Sequence, residues 1–214
     1  LGLRGDGTVL ATGWNSHGQC DVDSWADVRA VAAGWRFSLG VQRSGRVLAS
    51  GRGAEGQMAV ADWEDVVAVA CGDWHSVAAT GKGTVLATGN NRAGQTNTAA
   101  WRDVTAVAAG YQHTLGLTAD GRVLATGAEG SGVSQVAAWR DVVAVAAGSH
   151  HSVALTRDGR VLAAGSNSHG QCDTGALRTV VAMAAGARYT LGLCEDGTML
   201  AVGSNEHGQR NSSA

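Results

Sequence analysis

Apolar and polar positions form three short runs that return along the chain every 38 residues. The first run is small and apolar throughout, as in VVAVAA from Val142, and predicts a strand buried on both faces. In the second run, HSVALT from His151, apolar residues alternate with others, and the third run is RVLAAG from Arg160. Runs of this length and period are typical of β-strands. No stretch has the helical period with capping residues, so the chain is predicted to be all-β.

The dipeptide between the second and third runs also recurs on this spacing. It is Asp6-Gly7, Asp120-Gly121, Asp158-Gly159 and Asp196-Gly197, with Ser44-Gly45 and Lys82-Gly83 in the remaining copies. Asp-Gly between two strands predicts a hairpin with a type I′ turn, in which both central residues have positive φ. Each unit is therefore predicted to be a small antiparallel sheet.

A sheet of this size repeated at a fixed period is typical of a β-propeller. We predict one domain over residues 1–214. Its units are a partial repeat at 1–27, then 28–65, 66–103, 104–141, 142–179 and 180–214. Five complete blades and one partial blade fit either a six-bladed ring or an excerpt of a seven-bladed one. A β-solenoid is the alternative fold, and the hairpin turns argue against it.

Positions that recur in every copy are assigned to the scaffold. Trp25, Trp63, Trp101 and Trp139 share a slot with Leu177 and are predicted to pack between blades. The aspartates two positions later, such as Asp27, are expected to accept hydrogen bonds from turn N–H groups. His75, His113 and His151 share a slot with Phe37 and Tyr189. A slot that accepts Phe needs a flat ring, so we interpret these histidines as structural.

Positions that differ between copies follow the first and third strands. In successive copies the first variable loop, after the first strand, contains Trp35-Arg36, Asp73-Trp74, Tyr111-Gln112, Ser149-His150 and Ala187-Arg188. The second variable loop, after the third strand, contains Trp14 to His17 in the first copy. The strand directions place both loops on one face of the disc and the Asp-Gly turns on the other. Diversity on one face, rich in Trp, Tyr and Arg, is typical of a binding surface. We predict protein-binding roles for Trp14, Trp35, Arg36, Asp73, Trp74, Tyr111, Gln112, His150 and Arg188.

Composition limits the classes of partner that the chain is expected to bind. The net charge of −2 gives no basic footprint for nucleic acid, and no apolar run is long enough to span a membrane. We therefore expect a protein partner and a monomeric chain. No cofactor is predicted, because GRGAEG at 51–56 precedes no helix that could hold a pyrophosphate.

No metal site is predicted either. His17, His169 and His207 share one slot, but packed sheets lie about 10 Å apart, too far for one ion to bridge. The four cysteines include no Cys-x-x-Cys and are expected to be free.

The motifs VAAGxxHSxAL, DGxVLAxG and NxxGQ resemble the regulator-of-chromosome-condensation family of propeller repeats, and the resemblance spans the whole chain. The units look closer to bacterial members, including the propeller-type β-lactamase inhibitor. The resemblance implies a propeller and does not imply one function. In that inhibitor the aromatics of the GxxH loops look like the residues that contact its partner. By that resemblance, Trp74 in CGDWHS is the best single anchor.

The sequence thus favours a non-enzymatic, inhibitor-like module that binds a protein through one loop face. One alternative, by family analogy, is a guanine-nucleotide-exchange or chromatin-associated regulator. Another is a hydrolase or lyase with its site in the central opening. The variable slots hold no two acid–base residues in a reactive spacing within one copy, which argues against catalysis. The compartment stays unassigned.

Overall fold

The computed structural model describes residues 1–211, which are β-structure apart from loops and one short 3₁₀ turn at Thr174–Ala176. Six antiparallel sheets follow one another along the chain, the first with two strands and the other five with three. This is the predicted architecture of five complete blades and a partial one. The last three residues of the predicted sixth repeat lie outside the described residues.

The strand bounds follow the 38-residue period. The first sheet holds β1 (Gly2–Leu3) and β2 (Val9–Leu10), and the second holds β3 (Val28–Ala33), β4 (Phe37–Gln42) and β5 (Val47–Gly51). Next come β6 (Val66–Cys71), β7 (His75–Thr80) and β8 (Val85–Gly89), then β9 (Val104–Ala109), β10 (His113–Thr118) and β11 (Val123–Gly127). The last two sheets are β12 (Val142–Ala147), β13 (His151–Thr156) and β14 (Val161–Gly165), then β15 (Val180–Ala185), β16 (Tyr189–Cys194) and β17 (Met199–Gly203).

The first strand of each three-stranded sheet is the innermost. Strands β3, β6, β9, β12 and β15 contact one another in succession, and residues at their carboxyl ends line a central cavity. These strands are only partly buried, so the prediction that the first run is buried on both faces was wrong. The fully buried strand is the middle one, as β7, β10 and β13 show at every position. It has a strand on each side within its sheet and a packed sheet on either face.

A β-bulge marks the start of each innermost strand. In β3 the pairing moves from Val28 with Gln42 to Ala30 with Val41, which leaves Arg29 without a partner in the ladder. The same shift occurs at Val67, Thr105, Val143 and Val181. An extra residue bends the strand and increases its twist. All five bulge residues are exposed, and they lie at the face that carries the hairpin turns.

The hairpin turns differ from the predicted type. In the turn after β10, the N–H of Gly121 donates to the carbonyl of Thr118 at 2.9 Å. Gly121 has φ of +76°, while Asp120 is not among the residues with positive φ. The connection therefore has three residues, a type I turn followed by a left-handed glycine. The type I′ prediction was wrong because only the glycine takes positive φ.

The aspartates before each innermost strand act through their backbone. Asp27, Asp65, Asp103 and Asp141 have φ between 55° and 60°, and Thr179 fills the slot at 53°. The carbonyl of Asp65 accepts the N–H of Gly81 at 2.8 Å, and the equivalent bond recurs in the other copies. The slot selects Asp because Asp tolerates the left-handed region. The aspartates thus accept N–H groups next to the turns, as expected, and the accepting atom is the backbone carbonyl oxygen.

The recurrent tryptophans pack between blades, as predicted. Trp63 lies in one cluster with Phe37 and Leu39 of the preceding sheet and with Val66 and Ala78 of its own. The middle strand has a small residue opposite each of these rings. A Cβ at Gly116 would lie 2.7 Å from the Trp101 ring.

Buried hydroxyls join each sheet to the loop before it. Ser76 Oγ donates to the carbonyl of Gln57 at 2.7 Å, and Thr114 Oγ1 donates to that of Gln95 at 2.7 Å. The side chains of Gln57 and Gln95 are themselves fully buried, and each accepts an N–H from its own loop. The second variable loop is thereby held on a rigid base.

Candidate functional site

The two variable loops of each unit lie side by side at one end of the sheet. The N–H of Arg52 donates to the carbonyl of Arg36 at 2.8 Å, and that of Asn90 donates to Trp74 at 2.9 Å. The same bond joins Ala128 to Gln112, Ser166 to His150 and Ser204 to Arg188. The hairpin turns lie at the other end of the strands. The predicted site residues therefore share one face of the molecule, the loop face.

Five of the loop residues form one continuous group, which we name the Trp–Arg cluster: Trp14, Trp35, Arg36, Arg52 and Trp74. The Trp35 and Trp74 rings meet edge to face with centroids 4.5 Å apart. The Arg36 guanidinium lies 3.8 Å from the Trp35 ring centroid and 5.3 Å from that of Trp14. Arg52 lies 5.1 Å from the Trp74 ring. A guanidinium over an indole is a favourable cation–π arrangement, so the cluster is held in place before any partner binds.

Arg36 is the centre of this cluster. Its Nη1 lies 3.3 Å from His17 Nε2, and its buried Nε has no hydrogen-bond partner among the described residues. The Trp14 ring stands edge-on to His17 at 5.3 Å. Trp14 and Trp35 nevertheless keep 57% and 48% of their surfaces exposed. Large indole faces that are fixed in place and exposed are suited to bind a partner at low entropic cost.

A second, smaller group lies on the next blades. Tyr111 and His150 meet edge to face at 5.4 Å. Gln112, Tyr111 and Trp74 border a depression of about 280 Å³, which connects this pair to the Trp–Arg cluster. Arg188 is exposed and makes no ring or cation–π contact with either group among the described residues.

The two positions of the first variable loop have different surroundings. Trp35, Asp73, Ser149 and Ala187, each the first of its pair, line a central cavity of about 460 Å³ at the inner ends of the blades. The residues that follow them, among them Arg36 and Trp74, lie outside this lining. Asp73 is half-buried. Burial raises the pKa of its carboxyl above the ordinary value, and the nearby charge of His150 partly offsets this.

The three recurrent histidines lie beneath this face and are buried, which fits a structural role. Thr114 Oγ1 donates to Gln95, so it accepts from His75 Nε2 at 2.9 Å. Thr190 meets His151 in the same way. Burial lowers the pKa of all three imidazoles to about 4, because desolvation disfavours the cation. They are neutral near pH 7.

Two contributors to the site were not among the predicted residues. Arg52 contacts Trp74 and forms an ion pair with Glu55 at 3.0 Å, and His17 supports Arg36. Both come from the second variable loop, of which only Trp14 had been selected. The available signal was the position of these residues in a loop adjacent to an aromatic one.

Other site chemistry is limited in the part of the chain that the structure describes. Residues 1–211 contain no group of three or more His, Cys, Asp or Glu side chains able to hold a metal ion. Cys71 lines the cavity, and burial raises the pKa of its thiol, so it stays protonated. All four cysteines are free. Within the same residues no helix is long and apolar enough to cross a membrane.

Comparison with known proteins identifies the repeat. Residues 28–57, 66–95, 104–133, 142–171 and 180–209 match the model of the Regulator of chromosome condensation (RCC1) repeat. The chain belongs to the RCC1 repeat family. The five matches begin at the first residues of β3, β6, β9, β12 and β15, so the RCC1 repeat and the structural blade coincide. No curated protein matches the chain.

Solved structures support the RCC1-type fold. Yeast RCC1 (Prp20) bound to Kap60 is similar with a TM-score of 0.67 and 21% identity, over 84% of this chain and 56% of that one. Prp20p from Saccharomyces cerevisiae has a TM-score of 0.66 and 22% identity, over 84% and 57%. The ectodomain of the receptor kinase CR4 from Physcomitrella patens has a TM-score of 0.72 and 18% identity, over 94% and 57%.

At these identities the likeness establishes the fold alone. The chain spans less than two thirds of each of these three relatives. The closer likeness to bacterial members and to the propeller-type inhibitor stays a prediction.

Proposed function

We propose that this RCC1-type propeller is a non-enzymatic module that binds a protein partner through its loop face. The observation that carries the proposal is the Trp–Arg cluster, in which three indoles and two guanidiniums from three successive units form one surface. Trp and Arg are the residues most often found to dominate interface energetics. The likeness to structures supports this use of the fold, since yeast RCC1 is solved bound to Kap60.

The chemistry of the central cavity supports binding over catalysis. Among its described lining residues, Asp73 is the one carboxylate and Cys71 the one thiol. General acid–base catalysis needs convergent groups within hydrogen-bond reach of one reacting atom, and the lining does not offer such a pair. An exchange or chromatin role by family analogy is the alternative. Prp20p is described with its binding properties to Gsp1p and histones, while the net charge of −2 does not favour DNA.

The test begins with the immobilised protein as bait in an extract of its source cells, followed by identification and purification of the captured protein. Affinity is then measured for the wild type, Trp35→Ala and Trp74→Ala. Hot-spot truncation costs about 2 kcal/mol or more, which is roughly a 30-fold loss of affinity. Val143→Ala is the matched control, because Val143 is 43% exposed on the opposite face.

The control should bind like the wild type, and all variants should keep the wild-type thermal midpoint. Unchanged affinity in both Trp variants contradicts the proposal. A loss in Val143→Ala alone would move the binding site to the turn face.

A further inference from the structure

The central cavity is lined almost wholly by small residues. The ends of the five innermost strands contribute glycines and alanines, such as Ala109 with Gly110 and Ala147 with Gly148. Side chains this short leave a volume of about 460 Å³, open towards the loop face. A cavity whose wall has Trp35 as its one large side chain can admit a long side chain from outside with little rearrangement.

Asp73 is the one charged residue in this lining. Its carboxylate accepts no hydrogen bond from any residue in the described part of the chain. The titratable group that acts on it is His150, and no arginine does so. A half-buried carboxylate without a partner has lost part of its hydration and has gained no protein donor in return. A cation that enters the cavity would supply the missing interaction.

One indole shares the cavity wall with this carboxylate. Trp35 lines the same cavity and meets Trp74 at 4.5 Å. Arg36, which lies over the Trp35 ring, shows that this indole accepts a guanidinium in the chain itself. A cavity wall with one carboxylate and one indole is a suitable site for a cationic side chain, since charge pairing and cation–π attraction can then act together.

We propose that the cavity receives an arginine or lysine side chain at the tip of a loop of the protein partner, with its charge paired to Asp73. This inference rests on the proposed function, because the surrounding Trp–Arg cluster supplies the contact with the rest of that loop. Arginine fits better than lysine, since its planar guanidinium can stack on an indole while it bonds a carboxylate. An acidic side chain is excluded by the charge of Asp73.

The experiment uses small probes and so does not depend on the identity of the partner. The ¹⁵N-labelled protein is titrated with N-acetyl-arginine amide and with N-acetyl-citrulline amide, which has nearly the same shape and no charge. Signals of the Trp35 and Trp74 indole N–H groups and of the Asp73 amide are followed by NMR. We expect saturable shifts with the arginine probe and at least tenfold weaker binding of the citrulline probe. Asp73→Asn should remove the difference between the two probes.

A second readout separates charge pairing from a structural effect. Because a bound cation stabilises the carboxylate form, saturating arginine probe should lower the pKa of the Asp73 carboxyl, measured by ¹³C NMR. Asp73→Ser serves as a second variant if Asp73→Asn folds poorly, since Ser149 occupies this slot in another copy. Equal binding of the two probes, or an Asp73 pKa that the probe leaves unchanged, overturns the inference.

Failure of this inference can be told apart from failure of the proposed function. If the arginine probe does not bind while Trp74→Ala still weakens capture of the purified partner, the loop face binds a protein and only the cationic side chain is wrong. If the probe binds and Trp74→Ala has no effect on the partner, the binding face is wrong and the cavity stands as a cation site.

Discussion

The imidazole Nε2 of His75 lies 2.9 Å from the hydroxyl of Thr114 in the next blade, 39 positions along the chain. His151 and Thr190 repeat this contact at the same separation and distance. The separation is one residue more than the repeat, so each blade touches its neighbour with a stagger of one position. This buried contact has consequences for stability that can be measured.

The first prediction concerns acid stability. In the folded protein burial lowers the pKa of His75 from 6.5 to about 4. Between these values the unfolded chain binds the proton and the folded chain does not, so stability falls as pH falls from about 6.5 to about 4. Over that pH range, one such histidine lowers the free energy of unfolding by about 3 kcal/mol. His75→Phe should reduce the loss by about this amount, because Phe37 already fills the same slot.

The measurement is urea unfolding of both proteins at pH 7, 5.5 and 4. Near pH 7 the variant is expected to be slightly less stable, since it lacks the bond to Thr114. Parallel pH profiles for the two proteins would show that His75 is not the group that titrates.

The second prediction concerns His113, which lacks the contact that His75 and His151 make with the next blade. His113 has Ser152 at the corresponding position, and its buried Nε2 has no partner in the described chain. The two copies that form the bond have Thr there. Ser152 has the same hydroxyl group as Thr and donates it to the carbonyl of Val133 at 2.8 Å. Because His113 Nε2 makes no bond that a substitution could remove, His113→Phe is expected to lower the free energy of unfolding at pH 7 by about 1 kcal/mol less than His75→Phe.

The matched comparison is His75→Phe, which makes the same change in the preceding unit and also removes the bond from His75 Nε2 to Thr114. The two variants are compared by thermal unfolding at pH 7. Equal midpoints would contradict the prediction.

The third prediction concerns Thr179, which has φ of 53° in a slot that is Asp in the other four copies. A β-branched residue in the left-handed region costs roughly 1–2 kcal/mol, and Asn or Asp is tolerated there. Thr179→Asn should stabilise the protein by about 1 kcal/mol. The reciprocal change Asp103→Thr should destabilise it by a similar amount. Differential scanning calorimetry tests both, and a loss of stability in Thr179→Asn would contradict the argument.

Much of the fold could be predicted from the period alone. Val28, Val66, Val104, Val142 and Val180 were predicted to begin strands, and each is the first residue of one. Such predictions succeed where local residue preference and tertiary environment agree. The prediction of a type I′ turn failed because only Gly121, and not the Asp before it, has positive φ. The prediction that the first strand is buried on both faces failed because small apolar residues suit the wall of a cavity as well as a core.

The placement of the site residues on one face also followed from strand direction. What the sequence did not reveal is that Asp73 lines the cavity while Trp74, the next residue, lies outside its lining. Contacts such as Arg52 with Trp74 depend on how far successive sheets are rotated, which a repeat length does not specify.

The edge-to-face contact of Trp35 with Trp74 spans two units, and that of Tyr111 with His150 does the same. A single repeat consequently does not carry a complete binding surface that could be transferred to another protein. Transplanting residues 66–103 into another propeller would sever Trp74 from Trp35 and leave half of the aromatic surface behind. Engineering or natural recombination of this face has to proceed by adjacent pairs of repeats.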